Sequence, residues 1–481
     1  MDITMLIGGA DTPAADDSLF ERRNPVSGDV ATRAPAAKPA DVDKAVEAAA
    51  AAFPEWSEMG PGARRKILNK AADALDAHTE EFIKTAMAET GATGPWIGFN
   101  VMLAANMLRE AASMTTQVTG EIIPSDKPGT LAMAIRQPVG VLVGMAPWNA
   151  PVILAVRALA LPIACGNTVV LKASEMCPAT HRLIGKVLTD SGLPKGVVNV
   201  VTHSAEDAPA VVSALIAHPK VKRINFTGST RVGRIIAEQA ASHLKPVLLE
   251  LGGKAPLVIL DDADMDGAVN AAAFGAFMNQ GQICMSTEKI VVDEKIADEF
   301  VKRFGEKAAA LPHGDPSGHV VLGSVVDRAT VEKVDALIED AVAKGATLVT
   351  GGATDSTIMP ATIVDKVTPD MRIYSEESFG PVVCVIRVSG VDEAVKVAND
   401  TEYGLSAAVF GKDVQRAMGV ARRIESGICH VNGPTVGDEA QMPFGGMKAS
   451  GYGRFGGKAG IDEFTELRWI TVEDPGQHYP F

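Results

Sequence analysis

The chain has 481 residues, 47% of them hydrophobic, enough for about three domain-sized units that each bury a core. Its 45 Lys and Arg against 59 Asp and Glu leave a formal charge of −14, which argues against nucleic acid or an anionic membrane as the main partner. The five cysteines, Cys165, Cys177, Cys284, Cys384 and Cys429, show no CxxC or Cys/His ligand spacing, so neither a disulfide scaffold nor a metal site is expected.

The N-terminal stretch 1–21 carries Asp2, Asp11, Asp16 and Asp17 and lacks a basic segment followed by an apolar run, so it does not read as a signal peptide. No run reaches the roughly 18 apolar residues of a membrane helix. A soluble, cytoplasmic protein is expected. Residues 41–120 read as helices, with Ile67, Ala71, Leu75 and Phe82 near one face of the stretch Ala63 to Thr90 and with Pro54, Pro61 and Gly91 as punctuation. From about 130 the pattern becomes short apolar runs alternating with helices. The runs are Val139 to Met145, Thr168 to Leu171, Val197 to Val201, Val221 to Phe226 and Val247 to Leu251. Between them lie helical stretches at Ala155 to Cys165, Ala179 to Ser191, Asp207 to His218 and Arg231 to Ser242. This βαβ rhythm predicts a parallel sheet covered on both faces.

A second series follows Ala255, with strands expected at Leu257 to Leu260, Lys289 to Val292, Thr347 to Thr350, Val382 to Val388, Ala407 to Phe410 and Ile428 to Asn432. A domain junction is therefore expected near 250, beside an interdomain cleft. Two segments fit neither series: the turn-rich Gly120 to Arg136 and the short β-like Arg468 to Val472. Exposed strands of this kind pair across subunits, so a homo-oligomer, dimer or tetramer, is expected.

Several motifs sit where chemistry is expected. Glu250, in Leu249-Glu250-Leu251-Gly252-Gly253-Lys254, offers a base, and Cys284, in Gly281-Gln282-Ile283-Cys284-Met285-Ser286-Thr287, a nucleophile for acyl transfer. Read singly, the thiol is equally a small buried hydrophobe and the carboxylate a solvated strand end. Gly228-Ser229-Thr230-Arg231-Val232-Gly233 follows a strand and opens a helix, so its amides and dipole suit a pyrophosphate, although a turn with an N-cap Ser gives the same letters. Lys172-Ala173-Ser174-Glu175 ends a strand where open sheets bind ligands; Lys172 and Glu175 suit ribose hydroxyls there, and Glu175 opposes a 2′-phosphate, favouring NAD over NADP. In Met145-Ala146-Pro147-Trp148-Asn149-Ala150-Pro151, Asn149 offers an amide that, with the Cys284 N–H, suits an oxyanion. Glu376-Glu377-Ser378-Phe379-Gly380-Pro381 offers a carboxylate and a ring before a strand, and the glycine-dense Pro443 to Arg454 suits close packing on a site.

Together and in this order, from about residue 20 to 472, these segments resemble the NAD(P)-dependent aldehyde dehydrogenase superfamily. The resemblance implies an α/β fold with a Rossmann-type cofactor domain, an α/β catalytic domain and a β oligomerisation arm. The expected division is 1–119 with 137–250 for the cofactor, 251–440 for catalysis, 120–136 with 460–481 for the arm, and 441–459 as a glycine-rich return to the active site. It implies Cys284 as nucleophile, Glu250 as general base and Asn149 as oxyanion donor. NAD would be held by Met145, Trp148, Lys172, Glu175, Gly228, Ser229, Gly233, Leu251, Glu377 and Phe379. Members that pass the acyl group to coenzyme A usually lack the Glu, so Glu250 favours hydrolysis.

Asn432-Gly433-Pro434-Thr435 with Asp438 to Phe444 resembles the branch acting on aromatic aldehydes such as salicylaldehyde, vanillin and benzaldehyde. Arg157 stands where many members carry an aromatic residue and Ala150 where Phe is frequent, so a wider pocket with one cation is expected, walled by Trp96, Ala150 and Phe444. Arg157 facing a ring substituent and Arg157 in a structural ion pair both remain open. His203 departs from the glycine frequent at its position. The alternatives are an aldehyde dehydrogenase for aliphatic or semialdehyde substrates and a non-catalytic protein of the same fold; an esterase activity through the same thiol is also compatible.

Overall fold

The computed structural model describes residues 1–476 and 478–481. Its first sheet runs Gly451–Tyr452, Val247–Glu250, Val221–Thr227, Val141–Met145, Thr168–Lys172, Val198–Val201, Met5–Ile7 and Ala10–Thr12 in spatial order. The strands from Val247–Glu250 to Val198–Val201 are mutually parallel, and antiparallel partners close both ends. In chain order the sheet grows outward from Val141–Met145 in one direction and resumes on its other side at Val221–Thr227. The gap between the carboxyl ends of these two strands is thus a topological switch point, where such sheets open a ligand crevice.

The second sheet runs Thr347–Thr350, Thr362–Asp365, Val382–Val388, Thr287–Asp293, Ala255–Ile259, Ser406–Phe410 and Ile428–Val431, parallel except at Thr347–Thr350. The chain crosses from one sheet to the other between Glu250 and Ala255. Thr362–Asp365 is a fully buried strand that the apolar-run reading passes over, because four residues behind Pro360 are too short to show a period. The N-terminal strands, including the hairpin Leu19–Arg23 with Val30–Pro35, were likewise outside the expected series.

The helical region forms Pro39–Glu58, Pro61–Ala77, Thr79–Thr90 and Gly94–Met114. The stretch expected as continuous from Ala63 to Thr90 breaks at His78, whose Nδ1 lies 2.7 Å from the Ala74 carbonyl and closes the first helix. Leu68, rather than Ile67, is the fully buried member of that face with Ala71, Leu75 and Phe82. The helix Pro151–Ala164 is buried on every side, as its sequence PVILAVRALALPIA requires, and Arg157 is its one charged residue.

A third, antiparallel sheet joins Thr465–Val472, Leu131–Pro138 and Gly120–Ile123. It leaves Ile122 76% and Trp469 77% exposed, with Leu467 and Val472 also open. Among the described residues no helix is long and apolar enough to cross a membrane.

Candidate active site

The loops at the switch point bring the first pieces together. Met145 ends its strand buried, and Pro147, Trp148 and Asn149 follow before the helix Pro151–Ala164 begins. The Asn149 carbonyl accepts from Trp96 Nε1 at 3.0 Å and from Asn279 Nδ2 at 2.9 Å, while its own Nδ2 donates to the Gln282 carbonyl at 2.9 Å. Asn149 is therefore fastened to the turn that carries Cys284.

That turn is strained. Asn279 and Gln280 are left-handed, with φ of 49° and 57°, a conformation that costs a non-glycine residue on the order of 1–3 kcal/mol. Tertiary bonds hold it: Gln280 Nε2 donates to the Ser324 carbonyl, Gln282 Oε1 accepts the Val326 N–H, and Thr435 Oγ1 donates to the Met285 carbonyl. Gly281 continues the left-handed run at φ 69°, and a Cβ there would stand 2.1 Å from the Gly380 oxygen. The Cys284 side chain, partly open, borders two cavities. One, of about 260 Å³, is lined by Trp148, Gly228, Ser229, Leu251, Glu377 and Phe379. The other, of about 320 Å³, is lined by Trp96, Ala150, Arg157, Phe274, Met285 and Phe444. Asn149, Leu154 and Cys284 line both.

Glu250 ends its strand fully buried, opposite Gly451 of the glycine-rich segment. Only glycine fits there: Gly451 has φ 106° and a Cβ would lie 2.0 Å from the Leu249 oxygen. Among the described residues, neither Glu250 oxygen has a hydrogen-bond partner of ordinary geometry. Burial raises its pKa to about 8, against the pull of Arg157 and Arg454. Burial, with the Glu250 charge behind it, pushes the Cys284 thiol up to about 12, and Arg157 opposes this too.

Around the first cavity, the Gly228 N–H donates to the Glu250 carbonyl at 2.9 Å, and Ser229 caps the helix Thr230–Ser242 by accepting from Val232 N. Gly233 lets that helix rest on Leu251, whose Cδ2 would be 2.4 Å from a Cβ. Glu377 accepts the Gly253 N–H at 2.8 Å, and burial with the neighbouring Glu288 charge raises it to about 7. Phe379, left-handed at φ 54°, meets Trp148 edge-on with centroids 5.8 Å apart. Lys172 and Glu175 lie at the end of the adjacent strand outside this cavity, as do the buried Met145 and Gly233. Burial holds the Lys172 ammonium below the usual lysine range. His203 is buried and neutral, lowered to about 4 by burial, with Nδ1 2.8 Å from the Ser204 carbonyl.

In the second cavity Arg157 is already engaged. It forms an ion pair with Asp438, and its Cζ lies 4.1 Å from the Phe444 ring centroid. Of the two readings left open for Arg157, the ion pair is present, and it lies in the cavity wall. Burial raises the Asp438 carboxyl, and its sequence segment alone marks it only as part of a motif. Sequence reasoning also missed Phe274, Met278, Met285 and Val436 in this wall and Lys333 in the first; they come from separate segments and share no local pattern.

A partly open thiol between two crevices, one at a doubly wound switch point, is an arrangement that suits a two-substrate enzyme. Residues 12–470 match the model of the aldehyde dehydrogenase family, and the chain belongs to that family and has its fold. It is 60% identical over 481 residues, covering 100% of both chains, to a vanillin dehydrogenase of Pseudomonas fluorescens. Its structure is similar to that of a salicylaldehyde dehydrogenase from Pseudomonas putida G7 complexed with salicylaldehyde, with a TM-score of 0.98 and 52% identity over 100% of both chains. A betaine aldehyde dehydrogenase from Staphylococcus aureus in complex with NAD+ matches at a TM-score of 0.94 and 30% identity, over 99% of this chain and 95% of the other.

Proposed function

We propose that the protein oxidises an aromatic aldehyde to its carboxylic acid with NAD+, as a cytoplasmic homo-oligomer. The observation that carries this reading is Cys284 at the meeting point of a switch-point cavity and an apolar cavity walled by Trp96, Phe274 and Phe444. The names of the vanillin and salicylaldehyde relatives support the aromatic substrate.

The first cavity fits a dinucleotide. The amides that open the helix Thr230–Ser242 suit phosphate, and Glu377 offers a buried carboxylate to a ribose. A Cβ on Gly252 would stand 2.9 Å from that carboxylate, so the glycine keeps the turn clear. In this reading Trp148, Gly228, Ser229, Leu251, Glu377 and Phe379 hold the nicotinamide half. Met145 and Gly233 back them, and Lys172 and Glu175 take the adenosine ribose. The bound cofactor supplies a hydride acceptor beside the thiol.

The chain's own groups do the rest. The Cys284 thiol adds across the aldehyde carbonyl, its sulfur bonding the carbon and its proton passing to the oxygen, which the Asn149 amide with the Cys284 N–H receives. Removal of a hydride to the bound cofactor and of the hydroxyl proton to solvent would leave a thioacyl-enzyme. Glu250, a carboxylate above about pH 8, takes a proton from water, which adds to the thioester, and the acid and the thiol part. Trp96, Ala150, Arg157 and Phe444 shape the substrate end. Residues 1–119 with 137–250 serve the cofactor, 251–440 catalysis, 120–136 with 460–481 assembly, and 441–459 closes on Glu250.

The test is NADH production from benzaldehyde, salicylaldehyde, vanillin and short aliphatic aldehydes, compared by kcat/KM. Aromatic substrates should lead. Cys284→Ala should abolish NADH formation while NADH still binds; an active variant, or a preference for aliphatic aldehydes, overturns the corresponding part of the reading.

A further inference from the structure

Behind the cofactor cavity lies a buried ion pair, Lys254 with Glu288, whose side chains are 0% and 4% exposed. Glu288 belongs to the strand Thr287–Asp293, which starts three residues after Cys284 and runs through the middle of the second sheet. Its Oε2 accepts from Lys254 Nζ at 2.8 Å and from the Ser378 N–H at 2.6 Å; its Oε1 accepts from the Phe379 N–H at 2.9 Å. Lys254 Nζ also lies 3.3 Å from Ser378 Oγ, and the Gly253 N–H next to it holds Glu377.

We propose that Glu288 is a positioning residue for the cofactor, its carboxylate fixing the Glu377 to Phe379 wall of the cavity at a set distance from Cys284. Three observations lead to it. Both side-chain oxygens are spent on successive amides of one loop and on one lysine. That loop includes Phe379, a bulky residue held at φ 54°, where the backbone relaxes unless something over-determines it. All three donors come from the two segments that form the cavity wall, the turn after Glu250 and the loop before Val382–Val388. A rigid central strand thus carries the thiol's turn at one end and the support for Phe379 just beyond it. A glutamine cannot replace this carboxylate: its NH₂ would face an N–H where an acceptor is needed.

The inference rests on the proposed cofactor role of this cavity, and its test separates the two. Glu288→Gln and the charge-balanced Lys254→Met/Glu288→Gln are compared with wild type in three measurements. These are NADH affinity by fluorescence titration, cofactor-free hydrolysis of p-nitrophenyl acetate, and thermal melting. Glu288→Gln should weaken NADH binding by about tenfold or more, the scale of one hydrogen bond to a charged group. Ester hydrolysis at Cys284 should stay close to wild type. The double variant should regain melting temperature without regaining NADH affinity. Unchanged NADH affinity overturns the proposal, as does ester hydrolysis falling in parallel or affinity restored in the double variant, since each assigns the pair to the fold alone. A wild-type protein that neither binds NADH nor reduces NAD+ overturns the functional reading beneath it.

Discussion

Arg157 and Asp438 form an ion pair in the wall of an otherwise apolar cavity, with the guanidinium stacked 4.1 Å from the Phe444 ring centroid. The two side chains are 6% and 10% exposed, so neither charge is dissolved in water. Removing one partner strands the other. Arg157→Ala should lower the unfolding free energy by about 3–5 kcal/mol in denaturant melts, and Arg157→Met/Asp438→Asn should recover most of it. The same variant tests recognition. With Arg157→Ala, ring-hydroxylated aldehydes should lose about tenfold in kcat/KM relative to benzaldehyde, the worth of one charge-assisted hydrogen bond. An unchanged ranking would remove Arg157 from substrate choice.

Glu250 and Cys284 titrate in opposition. With Glu250 near 8 and Cys284 near 12, raising the pH ionises the carboxylate first, and its charge then resists the thiolate. Two outcomes follow from that order. Steady-state turnover limited by acid release should rise with pH and level off above about 8, and Glu250→Gln should lose this rise while keeping its first hydride transfer. In the cofactor-free enzyme at pH 9, iodoacetamide should alkylate Cys284 faster in Glu250→Gln than in wild type; slower alkylation would mean that Glu250 takes the thiol's own proton. Stability runs the other way with pH. A carboxylate raised from 4.5 to about 8 contributes stability that is fully present below pH 4.5 and is lost as pH rises from there to about 8, so Glu250→Gln should melt above wild type at pH 9 and near it below pH 4.5.

The five mutually parallel strands of the first sheet, and those of the second other than Thr362–Asp365, stand within a few residues of where apolar runs bounded by turn residues put them, because burial on both faces forces such runs and turn residues end them. The motifs at strand ends were legible for the same reason. Thr227 to Gly233, Met145 to Asn149 and Leu249 to Lys254 each pair a hydrophobic strand with residues unsuited to continuing it. What stayed hidden depends on tertiary contact. The helix break at His78 has no Gly or Pro to announce it. Asp438 meets Arg157 across 281 residues of sequence, and nothing local in either segment names the other. The left-handed Asn279 and Gln280 are equally silent, since only the bonds to Asn149 and Ser324 make that conformation tolerable.

In the proposed reading, cofactor preference would be set at the end of the strand Thr168–Lys172. On that reading Glu175 would stand on the approach of a 2′-phosphate, while Lys172 beside it is held below its usual range by burial. Like charges brought together cost up to several kcal/mol, so Glu175→Gln should raise kcat/KM for NADP+ by about tenfold or more and change that for NAD+ little. Lys172→Ala should weaken both. If Glu175→Gln leaves the NAD+ to NADP+ ratio where it was, discrimination lies elsewhere in the cavity.

The three-stranded sheet offers the last test. Trp469 and Leu467, 77% and 59% exposed, lie on Thr465–Val472, and Ile122, 76% exposed, lies on Gly120–Ile123; these are the two outer strands of the sheet, and among the described residues neither pairs with a further strand on its outer side. An uncovered edge with apolar side chains invites pairing with a second copy, and an indole is among the largest apolar areas that such pairing can bury. Trp469→Glu places a charge there without touching either cavity. Light scattering should then show a smaller assembly than wild type at the same concentration, with NADH affinity retained. An unchanged mass would remove this sheet from any assembly.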